Sequence, residues 1–250
     1  MFHFYLMEMG DCAMDFRDFL IEIAGLKVRM LCDFSYTQNL CKEFIATEGD
    51  CDIIAKTNPA EINAESAEYT ENSFSKGYCE SVCLYRSIAE QMPNRDGFVF
   101  HGAAVDIDGK GVIFTAPSGT GKTTHISLLM KNYPESVKII NGDKPILRKT
   151  DGEWKVFSAP WAGKEGWKNN TSSPLSAIII LERGDDNHID EISGANCFEK
   201  IMGQIYIPHN GEARLRTFDL LDEMSKKVKF YRLTCNMEDE AAEVSYTMLK

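Results

Sequence analysis

One stretch constrains this chain more than any other: Ala116-Pro117-Ser118-Gly119-Thr120-Gly121-Lys122-Thr123-Thr124. An apolar run, Val112-Ile113-Phe114-Thr115, precedes it, and Ile126, Leu129 and Met130 follow at helical spacing. Strand, glycine-bearing loop and helix in that order form the setting in which a phosphate-binding loop works. Backbone N–H groups of such a loop turn inward on a phosphate chain, and the helix N-terminus adds a favourable dipole. The stretch therefore predicts nucleotide binding by Pro117, Ser118, Gly119, Thr120, Gly121, Lys122, Thr123 and Thr124. Lys122 would reach the terminal phosphates and the Thr123 hydroxyl would ligate Mg²⁺. The usual pattern has glycine first, where this chain has Ala116; the rest is complete. A glycine- and serine-rich turn capping an ordinary helix would explain the glycines. It would not put the lysine and the hydroxyl pair in register.

At 250 residues the chain fits one large domain, or one domain with a small N-terminal subdomain. With 44% apolar and 26% charged residues it has the composition of a globular protein that can bury a core. The formal charge of −11 argues against nucleic-acid or anionic-membrane surfaces as partners. No apolar run reaches the length of a membrane span. The opening residues, Met1 to Asp11, are apolar but carry no basic leader, so they do not read as a signal peptide. Residues 1–19 read instead as a poorly defined extension of a cytoplasmic protein. Eight cysteines contain no C-x-x-C and no zinc spacing, and read as small, reduced, buried residues.

The predicted fold is α/β with a mixed sheet. Residues 20–96 form a β-rich subdomain ending in a helix, and 97–250 the nucleotide-binding, kinase-like domain. Leu20 to Met30 alternates around Gly25 and predicts a hairpin or two short strands. Thr37–Thr47 predicts a short helix with Leu40 and Phe44 inward, and Cys51–Ala55 a strand. Asn58–Ser75, rich in Asn, Glu and Ser, reads as loop or strand edge. Lys76–Met92 is amphipathic and stops at Pro93-Asn94-Arg95-Asp96-Gly97. Gly97–Val105 reads as one strand buried on both faces, turned by Asp108-Gly109 into the strand before the loop. Further strands are expected at Val137–Ile140, Trp154–Phe157, Ala177–Leu181 and Val228–Leu233. Helices are expected at Cys197–Ile205, Ala213–Lys227 and Glu238–Leu249.

Candidate chemistry lies at strand ends. Asp143, in Asn141-Gly142-Asp143-Lys144, follows the strand after the loop, where phosphoryl-transfer enzymes hold Mg²⁺. The same tripeptide also makes an ordinary turn. His101 is the titratable side chain in its strand region, and reads either as a core histidine or as a catalytic one. Pro160-Trp161-Ala162-Gly163-Lys164-Glu165-Gly166-Trp167 suits a loop covering a substrate or a packed turn. Arg183, after the strand 177–181, is either a phosphoryl clamp or half of a surface ion pair.

Together, His101-Gly102-Ala103-Ala104-Val105, the 116–123 loop and Asn141-Gly142-Asp143-Lys144 resemble the HPr kinase/phosphoenolpyruvate carboxykinase superfamily. More closely, the chain is similar to short bacterial proteins described as phosphoenolpyruvate carboxykinase (ATP)-like. These share the Pro160-Trp161-x-Gly163-Lys164 loop, Leu181-Glu182-Arg183-Gly184, and the segment from Tyr231 to Glu238. The resemblance runs from about Leu20 to the C-terminus. It implies a nucleotide-binding core of that superfamily's type, with ATP and Mg²⁺ as cofactors. It places His101 in the active site and leaves Asp143 to bind the metal or act as base, with Asp143 or His101 accepting the hydroxyl proton. Where the family has two adjacent acids, the first is Gly142 here. Phosphoenolpyruvate carboxykinases proper are far longer, and the arginine-containing, glycine-rich signature of bifunctional HPr kinase/phosphorylase is absent.

The expectation is a Mg-ATP-dependent kinase acting on a hydroxyl of a small molecule or a peptide serine. Its catalytic residues would be His101, Lys122, Asp143, Lys164 and Arg183, with Thr123 and Asp143 on the metal. A homo-oligomer is compatible with the sequence. The alternative is a non-catalytic ATP-binding sensor, in which Gly142→Asp would awaken transfer; decarboxylating carboxykinase chemistry fits least well.

Overall fold

Alternating apolar and polar residues on either side of Ala24-Gly25 form a hairpin, β1 (Arg17–Ile23) and β2 (Leu26–Cys32). Ala24 and Gly25 turn it with φ of 53° and 67°. The computed structural model describes residues 17–69 and 74–250. Most of the expected extension 1–19, including Cys12, lies outside them, and Arg17–Phe19 already belong to β1.

After the hairpin come α1 (Ser35–Leu40), a 3₁₀ turn at Lys42–Phe44, and the short strands β3 (Ile45–Ala46) and β4 (Ile53–Ala55). The sheet order is β3-β1-β2-β4. Its core side chains are Ile21, Val28, Met30, Phe44 and Ile53. The segment expected as loop from Asn58 is instead helix α2 (Pro59–Ala67). Its start carries a reciprocal cap: Asn58 Oδ1 accepts from the N–H of Ala60 (3.0 Å) and Glu61 (3.1 Å), and Glu61 Oε2 accepts from Asn58 N–H (3.3 Å). Proline in the first turn and this cap outweigh the polar composition. Residues 70–73 of the same segment lie outside the described ones. Helix α3 (Lys76–Gln91) follows as expected. Its fully buried Glu80 accepts from Asp33 N–H, Phe34 N–H and Thr37 Oγ1, so α3 caps the β2–α1 turn.

The chain divides into two units, 26–88 with the described residues up to Glu22, and 23–25 with 89–250. The division falls within α3, ahead of the Pro93–Gly97 break. The second unit is built on a mixed sheet. Its strands are β5 (Gly97–Val99), β6 (Ala103–Ile107), β7 (Lys110–Thr115), β8 (Val137–Asn141), β9 (Ile146–Thr150), β10 (Glu153–Phe157), β11 (Ser172–Arg183), β12 (His188–Ile192) and β13 (Lys229–Cys235). Its helices are α4 (Lys122–Asn132), α5 (Gly194–Met202), α6 (Gly211–Ser225) and α7 (Asp239–Leu249).

The twelve-residue β11 is the axis of this sheet. β7 runs parallel along one side of it. On the other side its start pairs antiparallel with β10, and its end pairs parallel with β13. Beyond β7 lie β6 and β8; beyond β10 lie β9 and β5. Along β11, Ile178 and Ile180 enter one apolar cluster with Leu220, Leu221 and Met224 of α6. Ile179 and Leu181 enter another, with Ile126 and Leu129 of α4 and Ala241 and Ala242 of α7. Both faces are covered, which is why the strand reads as continuous hydrophobic sequence. Each fully buried Ile or Leu contributes about 1.5–3 kcal/mol.

One expected strand is two. The run 97–105 breaks at Phe100–Gly102, because β5 pairs with β9 whereas β6 pairs with β7 and β8. At the break, Phe100 N–H bonds to Pro145 O (3.0 Å) and His101 N–H to Gln204 O (2.7 Å). The strands β9 and β12 carry no clear alternation and are additions to the sequence reading. No helix of the described residues is long and apolar enough to cross a membrane. Among the described cysteines all are free thiols, buried except for the half-buried Cys51.

Helix α4, which follows the glycine-bearing loop, is fastened to α7. Lys131 and Asn132 bond to Asp239 at the start of α7, and Tyr133 stacks on Tyr246 at 3.8 Å. Deeper in, His125 Nε2 donates to Ser245 Oγ (3.0 Å), whose own proton goes to the Ala241 or Ala242 carbonyl. Its Nδ1 has no partner among the described residues. Burial favours the neutral ring and pushes the His125 pKa from 6.5 down to about 4. A depressed histidine contributes its full stability above its unfolded pKa and loses it as pH falls toward the folded one. The loss approaches about 3 kcal/mol at full extent. Stability against denaturant is expected to fall steadily from about pH 7 to about pH 5, with a flatter profile for His125→Gln.

Candidate functional site

Strand directions decide what can meet in the second unit. β7 and β11 are parallel with Thr115 opposite Ile180, so β11 extends past the end of β7 to Arg183. β6 is antiparallel to both β7 and β8, pairing Ala103 with Phe114 and Ala104 with Asn141. The ends of β7, β8 and β11 therefore share one edge with the start of β6. Ligands of open α/β sheets bind outside such strand ends.

At this edge the 116–121 loop leaves β7 and enters α4. Its turn is closed by Thr120, whose N–H (3.2 Å) and Oγ1 (2.8 Å) both bond to Pro117 O. Gly121 caps the helix at φ 120°, a conformation open to glycine. Arg183 Nε donates to Thr120 O (3.0 Å), and its Nη2 to Gly119 O. In a trans peptide the N–H points opposite to the C=O, so this clamp turns the Gly121 N–H away from the guanidinium. The N–H groups of Ser118, Gly119 and Gly121 have no acceptor among the described residues. Pro117, Ser118, Gly119, Thr123 and Thr124 are exposed. Lys122 Nζ spans the loop to Ala116 O at 2.7 Å. Burial pushes the Lys122 pKa down, while the charge of Asp143 opposes that shift.

Across the edge, β8 ends in Asn141, which is fully buried. Its Oδ1 accepts from Asp143 N–H (2.9 Å) and Lys144 N–H (2.7 Å). Its Nδ2 donates to Ala159 O (2.9 Å) and Trp161 O (3.3 Å). The Asn-Gly-Asp turn thus exists, and it aims Asp143 at His101. His101 Nε2 lies 3.2 Å from Asp143 Oδ1, and Lys144 Nζ 3.8 Å from Oδ2. Burial would raise the Asp143 carboxyl; the His101 hydrogen bond and the charges of Lys144 and Lys122 outweigh it and hold the pKa below the ordinary carboxylate value. His101 is fixed by its backbone: its carbonyl accepts from Thr115 Oγ1 (3.0 Å), and Gly102 N–H bonds to Asp143 O (3.0 Å).

The tryptophan-bearing loop packs on this turn. Gly142 N–H bonds to Trp167 O at 2.7 Å. A Cβ on Gly142 would stand 2.8 Å from Ala162 O and 3.2 Å from the Trp167 Cβ. An aspartate at 142, the change expected from sequence to complete an acidic pair, therefore displaces the loop.

His101, Lys122, Asp143 and Arg183 gather around the loop, joined by Thr123. Lys164 is exposed on the packed loop, with no hydrogen bond or ion pair to these side chains. Arg183 faces loop carbonyls, which makes it a brace for the loop in this structure. Two residues that shape the site were not singled out from sequence. Asn141 carried only a turn signal, since burial of its amide depends on the 159–161 backbone. Glu165, whose Oε1 accepts from Thr123 Oγ1 at 3.4 Å, is one charge among many in the chain. The Thr123 hydroxyl and Asp143 carboxylate are the hard oxygens that suit Mg²⁺. No group of three or more His, Cys, Asp or Glu among the described residues could hold a metal alone, so an ion here needs oxygens from a bound ligand.

A family model described as "SynChlorMet cassette protein ScmC" matches residues 78–244. No curated protein matches the chain. Among solved structures, the Hpr(Ser) kinase/phosphatase from Coxiella burnetii is similar over 60% of this chain and 87% of that chain, at 12% identity and a TM-score of 0.36.

The tight seat of Gly142 makes a direct prediction. Gly142→Ala is expected to lower unfolding stability by about 1–3 kcal/mol, the usual cost of inserting a methyl group into a packed contact. Urea titration of the two proteins measures it.

Proposed function

We propose that this chain, which belongs to the family of the SynChlorMet cassette protein ScmC, is a Mg-ATP-dependent phosphotransferase acting on a hydroxyl. The acceptor is a small molecule or a peptide serine. One observation carries the reading: an ionised carboxylate, Asp143, lies within electrostatic reach of Lys122 and in contact with His101, at the mouth of a loop with unpaired N–H groups. Free amides and a lysine bind phosphates; a carboxylate beside them binds the metal or orients the hydroxyl. An ordinary structural turn needs none of this.

In this reading the loop amides and Lys122 hold the β and γ phosphates. Thr123 and Asp143 would hold Mg²⁺, which when bound would supply charge neutralisation for the transferring group. Lys122 leaves Ala116 O for the phosphate, exchanging a neutral acceptor for a charged one. Arg183 keeps the loop open toward the ligand. Phosphoryl transfer passes through a loose transition state, so the hydroxyl needs positioning more than a strong base. A carboxylate held below its ordinary pKa, bonded to His101, suits that task and stays charged at neutral pH.

A second reading, a nucleotide sensor without turnover, is favoured by Gly142 alone, which leaves one strand-end acid in place of two. γ-Labelled ATP with Mg²⁺ and a size-fractionated host extract separates the two. Wild type is expected to move label into the small or the large fraction, and Lys122→Ala to lose about 100-fold or more of that transfer. Equal transfer by Lys122→Ala refutes the proposal, and tight ATP binding without transfer leaves the sensor.

A further inference from the structure

The site as described is short of metal ligands from the protein. Thr123 offers a hydroxyl and Asp143 a carboxylate, while position 142 has no side chain. Backbone occupies the space a side chain there would need, with the Ala162 carbonyl oxygen 2.8 Å and that of Trp167 3.4 Å from a Cβ built on Gly142. The loop that fills this space brings an acid of its own. Glu165 is exposed, and its Oε1 accepts from the Thr123 hydroxyl at 3.4 Å. Asp143 lies beside the same loop. A Cβ on Gly163 would sit 3.0 Å from the Asp143 Cβ and 3.8 Å from Glu165 Oε2, so both acids flank one glycine. Gly163 takes φ 76° here, a conformation open to glycine, and a side chain at 163 would fill the space beside the two acids.

Resting on the nucleotide reading above, we propose that Glu165 is the second carboxylate of the Mg²⁺ site, supplied by the 159–167 loop in place of the missing acid at 142. Mg²⁺ is held by one or two carboxylates together with substrate phosphates and water. Thr123, Asp143 and Glu165 form such a set, with phosphate oxygens completing it. The contact seen between Glu165 and Thr123 then joins two ligands of one ion. The competing explanation is that Glu165 simply caps the start of α4, where a carboxylate is favoured by the helix dipole. Capping predicts a change in stability, whereas ligation predicts a change in metal dependence.

The full chain is titrated with ATP in EDTA and in Mg²⁺, for wild type and Glu165→Gln, and with Mn²⁺ by electron paramagnetic resonance in the presence of ATP. Wild type is expected to bind ATP more tightly with metal than without. Glu165→Gln should bind metal-free ATP as well as wild type or better, because a carboxylate beside the phosphates repels them. It should lose about tenfold or more of the gain from Mg²⁺, and its Mn²⁺ affinity with ATP should fall by a similar factor. Equal metal-dependent gains in the two proteins overturn the assignment while leaving the nucleotide reading intact. Absence of ATP binding by wild type in both buffers overturns the nucleotide reading and this assignment with it. The variant changes an exposed side chain, and its unfolding curve, measured in parallel, registers any loss of the cap.

Discussion

The side-chain amide of Asn141 is the joint on which the geometry of this site depends. It is completely buried and makes four hydrogen bonds, two into the Asp143 turn and two into the backbone that begins the tryptophan loop. A typical buried bond contributes about 0.5–1.5 kcal/mol net, whereas stranding its partner costs about 1–3 kcal/mol. The turn and the loop are therefore held as one body, since moving either strands polar atoms of the other. Aspartate at 141 would keep the two acceptor bonds and turn both donors into facing oxygens. This is a joint that asparagine fits by chemistry as well as by shape.

The joint explains how a half-buried acid remains charged. Burial alone pushes Asp143 toward its neutral form, and it stays ionised because His101, Lys144 and Lys122 are placed against it. The His101 hydrogen bond does most of this for Asp143, with Lys144 next and Lys122 the least. Burial pushes the Lys122 pKa down, and the charge of Asp143 works against that shift. The chain as a whole carries −11, yet this edge presents Lys122, Lys144, Lys164 and Arg183. The same edge carries the acids Asp143 and Glu165, so charges of both signs meet there.

Much of the sheet was legible from sequence because burial on both faces writes uninterrupted apolar runs, as in β7 and β11. The loop was legible because its glycines, lysine and hydroxyls must fall in a fixed register. Three features were hidden for distinct reasons. The break at Phe100–Gly102 is marked by a single polar residue, His101, in an otherwise apolar run whose neighbours Val99, Phe100 and Ala103 are all buried. Helix α2 hid behind a polar composition that its cap, Asn58-Pro59-x-Glu61, could have revealed. The role of Gly142 was read as an absence, a lost acid, although its space is taken by the Ala162 carbonyl. Long-range packing of backbone on backbone leaves no pattern in the chain.

That last point changes how the departure from two adjacent acids is weighed. If an acid had been lost from an otherwise unchanged site, a gap or solvent would stand in its place, and the site would be weakened. Here the position is closed by a loop whose carbonyl oxygens accept from the Asn141 side chain and the Gly142 N–H, which holds it in register with Asp143. Glycine at 142 is then a requirement of the loop's approach rather than a vestige. On the proposed phosphotransferase reading, positioning and charge compensation are what the site must supply, and the loop that closes position 142 is the element that brings Glu165 to the Thr123 hydroxyl.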